Sequence, residues 1–270
     1  MKTKSILLLI LFSFVNLLEN SVNILKIGTC GDYKPVTFLN KTTGKYEGLE
    51  IELIEIYAKE KNYSIEYIRT TWPNLMNDTL ENKFDLAIGG ITITENRLQN
   101  CIMSIGYLKT GKTFLMRKED TDKYKSISDV NKKNVRVMIN PGGTNEKFAR
   151  ANLSNANIII YDINEEIPEK ISKNEADIMV TEVMEGLIYS KEIDNLDVPL
   201  YQNPFTDNDI GILMRKDNII LMNEINEWLK KKIEDGTIDN LKKKYIPYPN
   251  NGKYILINLG LILVLFLLII

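Results

Sequence analysis

The chain has 270 residues, with 34 Lys and Arg against 36 Asp and Glu, and no histidine. A formal charge of −2 provides no basic surface for nucleic acid. Without histidine there is no Ser-His-Asp or Cys-His nucleophile pair and no His-ligated metal, so acid–base chemistry falls to Asp, Glu, Lys, Tyr or Cys. Two thiols, Cys30 and Cys101, cannot close a zinc site alone; they form one disulfide or, the preferred reading, stay free.

In chain order, Lys2 and Lys4 precede an apolar run from Ile6 to Leu18, which reads as a secretory signal over 1–21 or an uncleaved anchor. Ile24–Gly28 is a predicted strand and Leu49–Lys61 a helix, with Leu49, Leu53 and Tyr57 on one face. Strand Ile65–Ile68, helix Trp72–Asn82 and a buried strand Phe84–Ile88, bounded by Gly89-Gly90, follow. A second series repeats the pattern: strand Val135–Ile139, a helix from about Asn145 to Asn152, strand Asn157–Tyr161, a helix through Ile171, strand Ala176–Val180 and a helix from about Glu182. Each series ends in a similar strand, Phe84-Asp85-Leu86-Ala87-Ile88 and Ala176-Asp177-Ile178-Met179-Val180, as two copies of one unit would. Asp209–Arg215 then reads as a strand, and the following helix carries Leu221, Ile225, Leu229 and Ile233 on one stripe with Gly236 past its end. From Tyr254 to Ile270 nearly every residue is apolar, at the lower limit for a membrane-spanning helix, and reads as a membrane anchor or a removed lipid-anchor signal.

Alternating strands and helices imply an α/β fold with parallel sheets covered by helices. The expected organisation is a first lobe over 22–112, a second over 113–205 and a return to the first over 206–248. The hinge crossings are expected near Lys112–Met116 and Asn203–Thr206.

Ligands of open α/β sheets sit beyond the carboxyl ends of the strands, which directs attention to the residues there. Arg97 offers a planar fork for a carboxylate, with Thr92 as a hydroxyl donor beside it; the alternative is an exposed Arg on a helix capped by Thr94. Asn140 precedes Gly142-Gly143-Thr144, a turn opening a helix whose N–H groups suit an anion, unless Thr144 simply caps it. Tyr33 and Trp72 could sandwich an apolar ring, although aromatics are more often core. Lys112 could meet a second carboxylate, or be a solvated surface lysine. Glu182 and Glu185 share a face at a helix start, where acids are also favoured by the dipole.

The segment from Lys26 to Ile246 resembles the family 3 extracellular solute-binding proteins and, within them, the cyclohexadienyl dehydratases. The residues carrying the resemblance are the run Gly28 to Pro35, Trp72 to Met76, Tyr107 to Thr113 and above all Asn140 to Leu153. It implies a periplasmic-binding-protein type II fold of two lobes joined by a two-stranded hinge, an exported protein and an oligomer. It implies further that Arg97, Thr92 and Thr144 hold a carboxylate, that Tyr33 and Trp72 flank the ligand, and that Glu182 stands where an Asp receives an α-amino group. Glu185 matches the general acid of the dehydratases and Lys112 a lysine lining their pocket. The implied substrate is a small carboxylate, prephenate or arogenate; the rival expectation is an amino-acid-binding protein without catalysis. No cofactor or metal is expected. Two features depart from the pattern: Glu182 in place of the usual Asp, and the apolar segment 254–270.

Overall fold

The computed structural model describes residues 23–249. The signal segment expected over 1–21 and the apolar segment 254–270 lie outside the described residues. Among the described residues no helix is long and apolar enough to cross a membrane.

Two five-stranded sheets carry the architecture. In the first, Asn23–Thr29 pairs in parallel with Tyr63–Arg69 on one side and Leu86–Ala87 on the other, then Leu213–Met214 runs antiparallel, with Ile102–Met103 at the edge. In the second, Arg136–Ile139 lies between Asn157–Ile160 and Ile178–Glu182, all parallel, and Lys112–Arg117 runs antiparallel, with Leu196–Asp197 at the edge. The strand order is the same in both, so the repeat visible in the sequence is a repeat of topology. The fourth strand of each sheet comes from the far side of the crossover, which weaves the two lobes into one chain path.

The lobes are joined by an antiparallel ribbon, Leu108–Thr110 against Asn208–Ile210. It lies a few residues from the crossings expected near Lys112–Met116 and Asn203–Thr206; Lys112–Arg117 is itself a fully buried strand of the second sheet. Successive residues of that strand face opposite layers, as period 2 demands. Phe114 and Met116 pack with Val137, Ala149 and Val180, whereas Leu115 packs with Ile167, Ile171 and Met179. Both faces of the sheet are therefore covered, which is why its strands read as continuous apolar runs.

Three expectations need correction. Helix Trp72–Asn82 shrinks to Leu75–Leu80, because Pro73 cannot donate and its neighbours form a turn. Asp209–Arg215 breaks into the hinge strand Asn208–Ile210 and the sheet strand Leu213–Met214 at Gly211, where a Cβ would sit 3.0 Å from Ile93. The long helix, Ile219–Glu234, buries Met222, Ile225, Trp228 and Leu229, while Ile233 is 43% exposed. Gly236 does stop it, at φ 80, but also starts a further helix, Thr237–Tyr245, that the sequence reading lacks.

Candidate functional site

The carboxyl ends of both sheets face each other across the ribbon, and the polar residues after the strands meet there. Tyr33, Trp72 and Gly90 come from the first lobe; Lys112, Asn140, Gly143, Thr144, Asn145, Asn164, Glu182 and Glu185 come from the second. They enclose a cavity of about 30 Å³. Small-molecule pockets run to roughly 300 Å³ and more, so a ligand enters only if the lobes part or side chains move.

Glu182 is the hub. It ends the strand Ile178–Glu182 and stands directly opposite Lys112 in the antiparallel register, which makes the two a cross-strand pair. Lys112 Nζ donates to Glu182 Oε1 at 2.6 Å, to Thr144 Oγ1 at 2.7 Å and to Asn145 Oδ1 at 2.6 Å. An ammonium has three donors, so all of them are used. From the first lobe, Tyr33 Oη donates to Glu182 Oε2 at 2.7 Å and Thr92 Oγ1 to Oε1 at 3.2 Å. The carboxylate of Glu182 thus gathers donors from both lobes, including residues expected to meet the ligand. Its extra methylene, relative to Asp, extends that reach.

Arg97 is 8% exposed and makes no ion pair among the described residues; its guanidinium donates to Thr92 O at 2.6 Å. Thr94 caps its helix, as the plainer reading held, yet Arg97 is buried rather than on the surface. Gly143, not Thr144, occupies the N-cap of helix Thr144–Asn152, leaving the Thr144 hydroxyl to accept from Lys112. Gly142 approaches Pro73 so closely that a Cβ would lie 2.6 Å from its nitrogen, at φ +81. Tyr33 is buried and Trp72 half-buried, its Nε1 donating to Asp32 Oδ1 at 3.0 Å. Asn140 is buried with its Oδ1 unpartnered among the described residues.

Glu185 is 2% exposed, one turn into helix Val183–Glu192. Asn164 Nδ2 donates to its Oε1 at 2.7 Å, and Thr181 Oγ1 contacts its Oε2. Burial pushes its carboxyl up to about 8, aided by the charges of Asp32 and Glu182 and opposed by those two hydrogen bonds. Burial likewise raises Asp32 to about 6, against the Trp72 hydrogen bond. Two carboxyls in one cleft with separated affinities for a proton suit acid–base work. In the first lobe, Glu50 takes Gly89 N, Gly90 N and Tyr107 Oη, and holds the turn that leads to Thr92.

Of the ten candidates from the sequence, eight line this cavity; Thr92 reaches it through its bond to Glu182, and Arg97 stands behind Thr92. Sequence reasoning missed Asn164, Asn145, Thr181, Asp32 and Glu50. Asp32 and Asn145 stood in the runs that carry the resemblance, and Thr181 directly after the expected strand Ala176–Val180; Asn164 and Glu50 gave no local signal. Among the described residues no His, Cys, Asp or Glu cluster could hold a metal. Cys30 and Cys101 are both free and buried.

The model of the bacterial extracellular solute-binding proteins, family 3, matches residues 25–248. A cyclohexadienyl dehydratase of Pseudomonas aeruginosa is 31% identical over 86% of this chain and 85% of its own length. An ABC transporter glutamine-binding protein of Bacillus subtilis is 28% identical over 77% and 75% respectively. Among solved structures, an ancestral amino acid-binding protein described as a precursor of cyclohexadienyl dehydratase is 34% identical, with a TM-score of 0.77 over 83% of this chain and 96% of that one. With its two-lobed α/β fold and a family match across nearly every described residue, the chain belongs to the bacterial extracellular solute-binding proteins, family 3.

Proposed function

We propose that the protein is a cyclohexadienyl dehydratase, converting arogenate to phenylalanine, prephenate to phenylpyruvate, or both. The observation that carries this reading is Glu185: a carboxyl buried at the interlobe cavity and pushed up to about 8, hence mostly protonated at neutral pH. A protein that only traps ligands has no need of a neutral acid there. The relative of known activity in Pseudomonas aeruginosa supports the same reading.

In the proposed reaction the ring carboxylate leaves as carbon dioxide, and its bonding electrons enter the ring. The ring hydroxyl leaves from the opposite carbon. Hydroxide is a poor leaving group, so Glu185 delivers its proton to that oxygen and water departs; a positioned acid is worth about 10²–10⁴-fold. The ring becomes aromatic, and Glu185, left as a carboxylate, recovers a proton from solvent as the cleft next closes. Arg97, a buried cation that makes no ion pair among the described residues, binds the side-chain carboxylate. Lys112 can serve the ring carboxylate only by giving up one of its three present acceptors. Glu182 is the obvious one to release, and an incoming α-ammonium could take the place of Lys112 beside it.

The test is turnover by the purified full chain. Phenylpyruvate from prephenate, or phenylalanine from arogenate, is expected, with more than a hundredfold loss in Glu185→Gln. The second reading, an amino-acid-binding protein, draws on the donor set around Glu182 and on the glutamine-binding relative. Tight binding of an amino acid with no turnover of either substrate would establish it instead.

A further inference from the structure

We infer that Asn164 is a positioning residue: in the shut cleft it fixes which oxygen of Glu185 carries the acidic proton. The inference rests on the dehydratase reading and adds a residue to it.

Asn164 begins the short 3-10 turn Asn164–Glu166 of the second lobe, and is 4% exposed. Its Nδ2 donates twice, to Glu185 Oε1 at 2.7 Å and to the main-chain oxygen of Asp32 at 3.0 Å. Asp32 belongs to the first lobe and Glu185 to the second, so one amide group spans the cleft. A main-chain carbonyl can only accept. Turning the Asn164 amide over would set its Oδ1 against the Asp32 carbonyl, so the Asp32 contact dictates the amide's orientation. With Nδ2 held in place, Glu185 Oε1 must accept, and the carbonyl oxygen of a neutral carboxyl is its better acceptor. The proton of the neutral acid is therefore favoured on Oε2, beside Thr181 Oγ1. A hydroxyl both donates and accepts. Thr181 can accept from the protonated Oε2 and, after the proton has gone to substrate, donate to the carboxylate left behind.

When the lobes part, the Asp32 carbonyl leaves and the amide loses the contact that orients it. The proton is thus assigned to one oxygen only in the closed molecule. The titratable groups facing Glu185 are Asp32 and Tyr33 from the first lobe, Glu182 at the end of the preceding strand and Tyr189 one turn along its own helix. Lys112 stands behind Glu182 and is paired with it. Tyr33 Oη is committed to Glu182, and Tyr189 Oη makes no hydrogen bond to Glu185.

The experiment uses the full chain and two variants, Asn164→Ala and the near-isosteric Asn164→Leu, neither of which can donate to Oε1. Loss of a hydrogen bond to the ionised form moves its titration upward, by about one to two pH units for a charge-assisted bond. The alkaline limb of the kcat profile should rise by that amount, with kcat down about tenfold and KM changed less than about threefold. A second readout does not need turnover: the carboxyl stretch of Glu185 in infrared difference spectra, assigned with Glu185→Gln, should show the same upward movement. A lower kcat with an unmoved infrared midpoint in both variants would overturn the inference and leave Asn164 a merely structural residue. If the native chain turns over neither substrate but the infrared midpoint moves, the dehydratase reading fails while the Asn164 geometry stands.

Discussion

Replacing Glu182 by Gln preserves its shape and removes its charge. Lys112, whose side chain is only 4% exposed, would keep Thr144 and Asn145 as acceptors but lose its ionic partner Glu182. Breaking a buried pair from one side costs about 3–5 kcal/mol if the surroundings stay dry. This pair sits at a cleft, so the molecule has a cheaper escape, which is to part the lobes and rehydrate Lys112. That escape also gives up the Tyr33 and Thr92 hydrogen bonds across the lobes, both weakened once their acceptor is neutral. A bias of about 3 kcal/mol shifts an open–closed equilibrium roughly a hundredfold. The expected result is a larger radius of gyration by small-angle X-ray scattering for Glu182→Gln, with a lower Tm. The double variant Lys112→Met/Glu182→Gln should recover much of the loss, because neither charge is then stranded. A scattering curve and Tm indistinguishable from the native chain would show that the pair bears no load in closure, and the reasoning would be wrong.

Three further outcomes are expected. Glu185 has a folded-state pKa of about 8 against an ordinary 4.5, so its contribution to stability is fully present below about 4.5 and is lost as pH rises through about 8. Thermal melts of Glu185→Gln should match the native chain at acid pH and exceed it by several degrees above pH 8, with the gap opening between. A Cβ at Gly90 would lie 2.1 Å from the Tyr33 ring at φ +68, so Gly90→Ala should cost about 1–3 kcal/mol in denaturant melts and push the Tyr33 hydroxyl off Glu182. Arg97→Lys keeps the charge but loses the fork, and calorimetry should show about ten- to a hundredfold weaker ligand binding.

The central parallel strands and most helices were legible, the strands as short apolar runs and the helices by their period. The long helix shows where that fails. Residues 221, 225, 229 and 233 are spaced by four, and each step of four overshoots a turn by about 40°, so the stripe drifts around the cylinder. The face that packs uses mixed spacing, Met222, Ile225, Trp228 and Leu229. Helix Thr237–Tyr245 is polar enough to look like a tail, and only Ile238 and Leu241 are buried. In the site, Glu185 and Glu182 could be flagged because they follow a strand directly. Asn164 could not: its partners lie 21 and 132 residues away. The mutual occupation of Lys112 and Glu182 was equally hidden. It depends on the register of two antiparallel strands, one of them mistaken for the hinge.

The acidity of Glu185 is a property of the closed molecule. Residues of both lobes wall the cavity beside it, and burial is the largest influence on its carboxyl. Opening the cleft restores water to that carboxyl and returns its pKa toward 4.5, where it is ionised at neutral pH. The closed cavity of about 30 Å³ is far too small for the substrate, and parting of the lobes is the motion that would admit it. Each closure at neutral pH must therefore take a proton from solvent, and that proton is the one the leaving hydroxyl needs. A ligand trap with an apolar residue at position 185 would close without this uptake. Calorimetric binding of a product such as phenylalanine, in buffers of different ionisation heat, reads the difference directly. Close to one proton should be taken up near pH 7 by the native chain and close to none by Glu185→Gln, while equal uptake in the two would separate closure from the acid altogether.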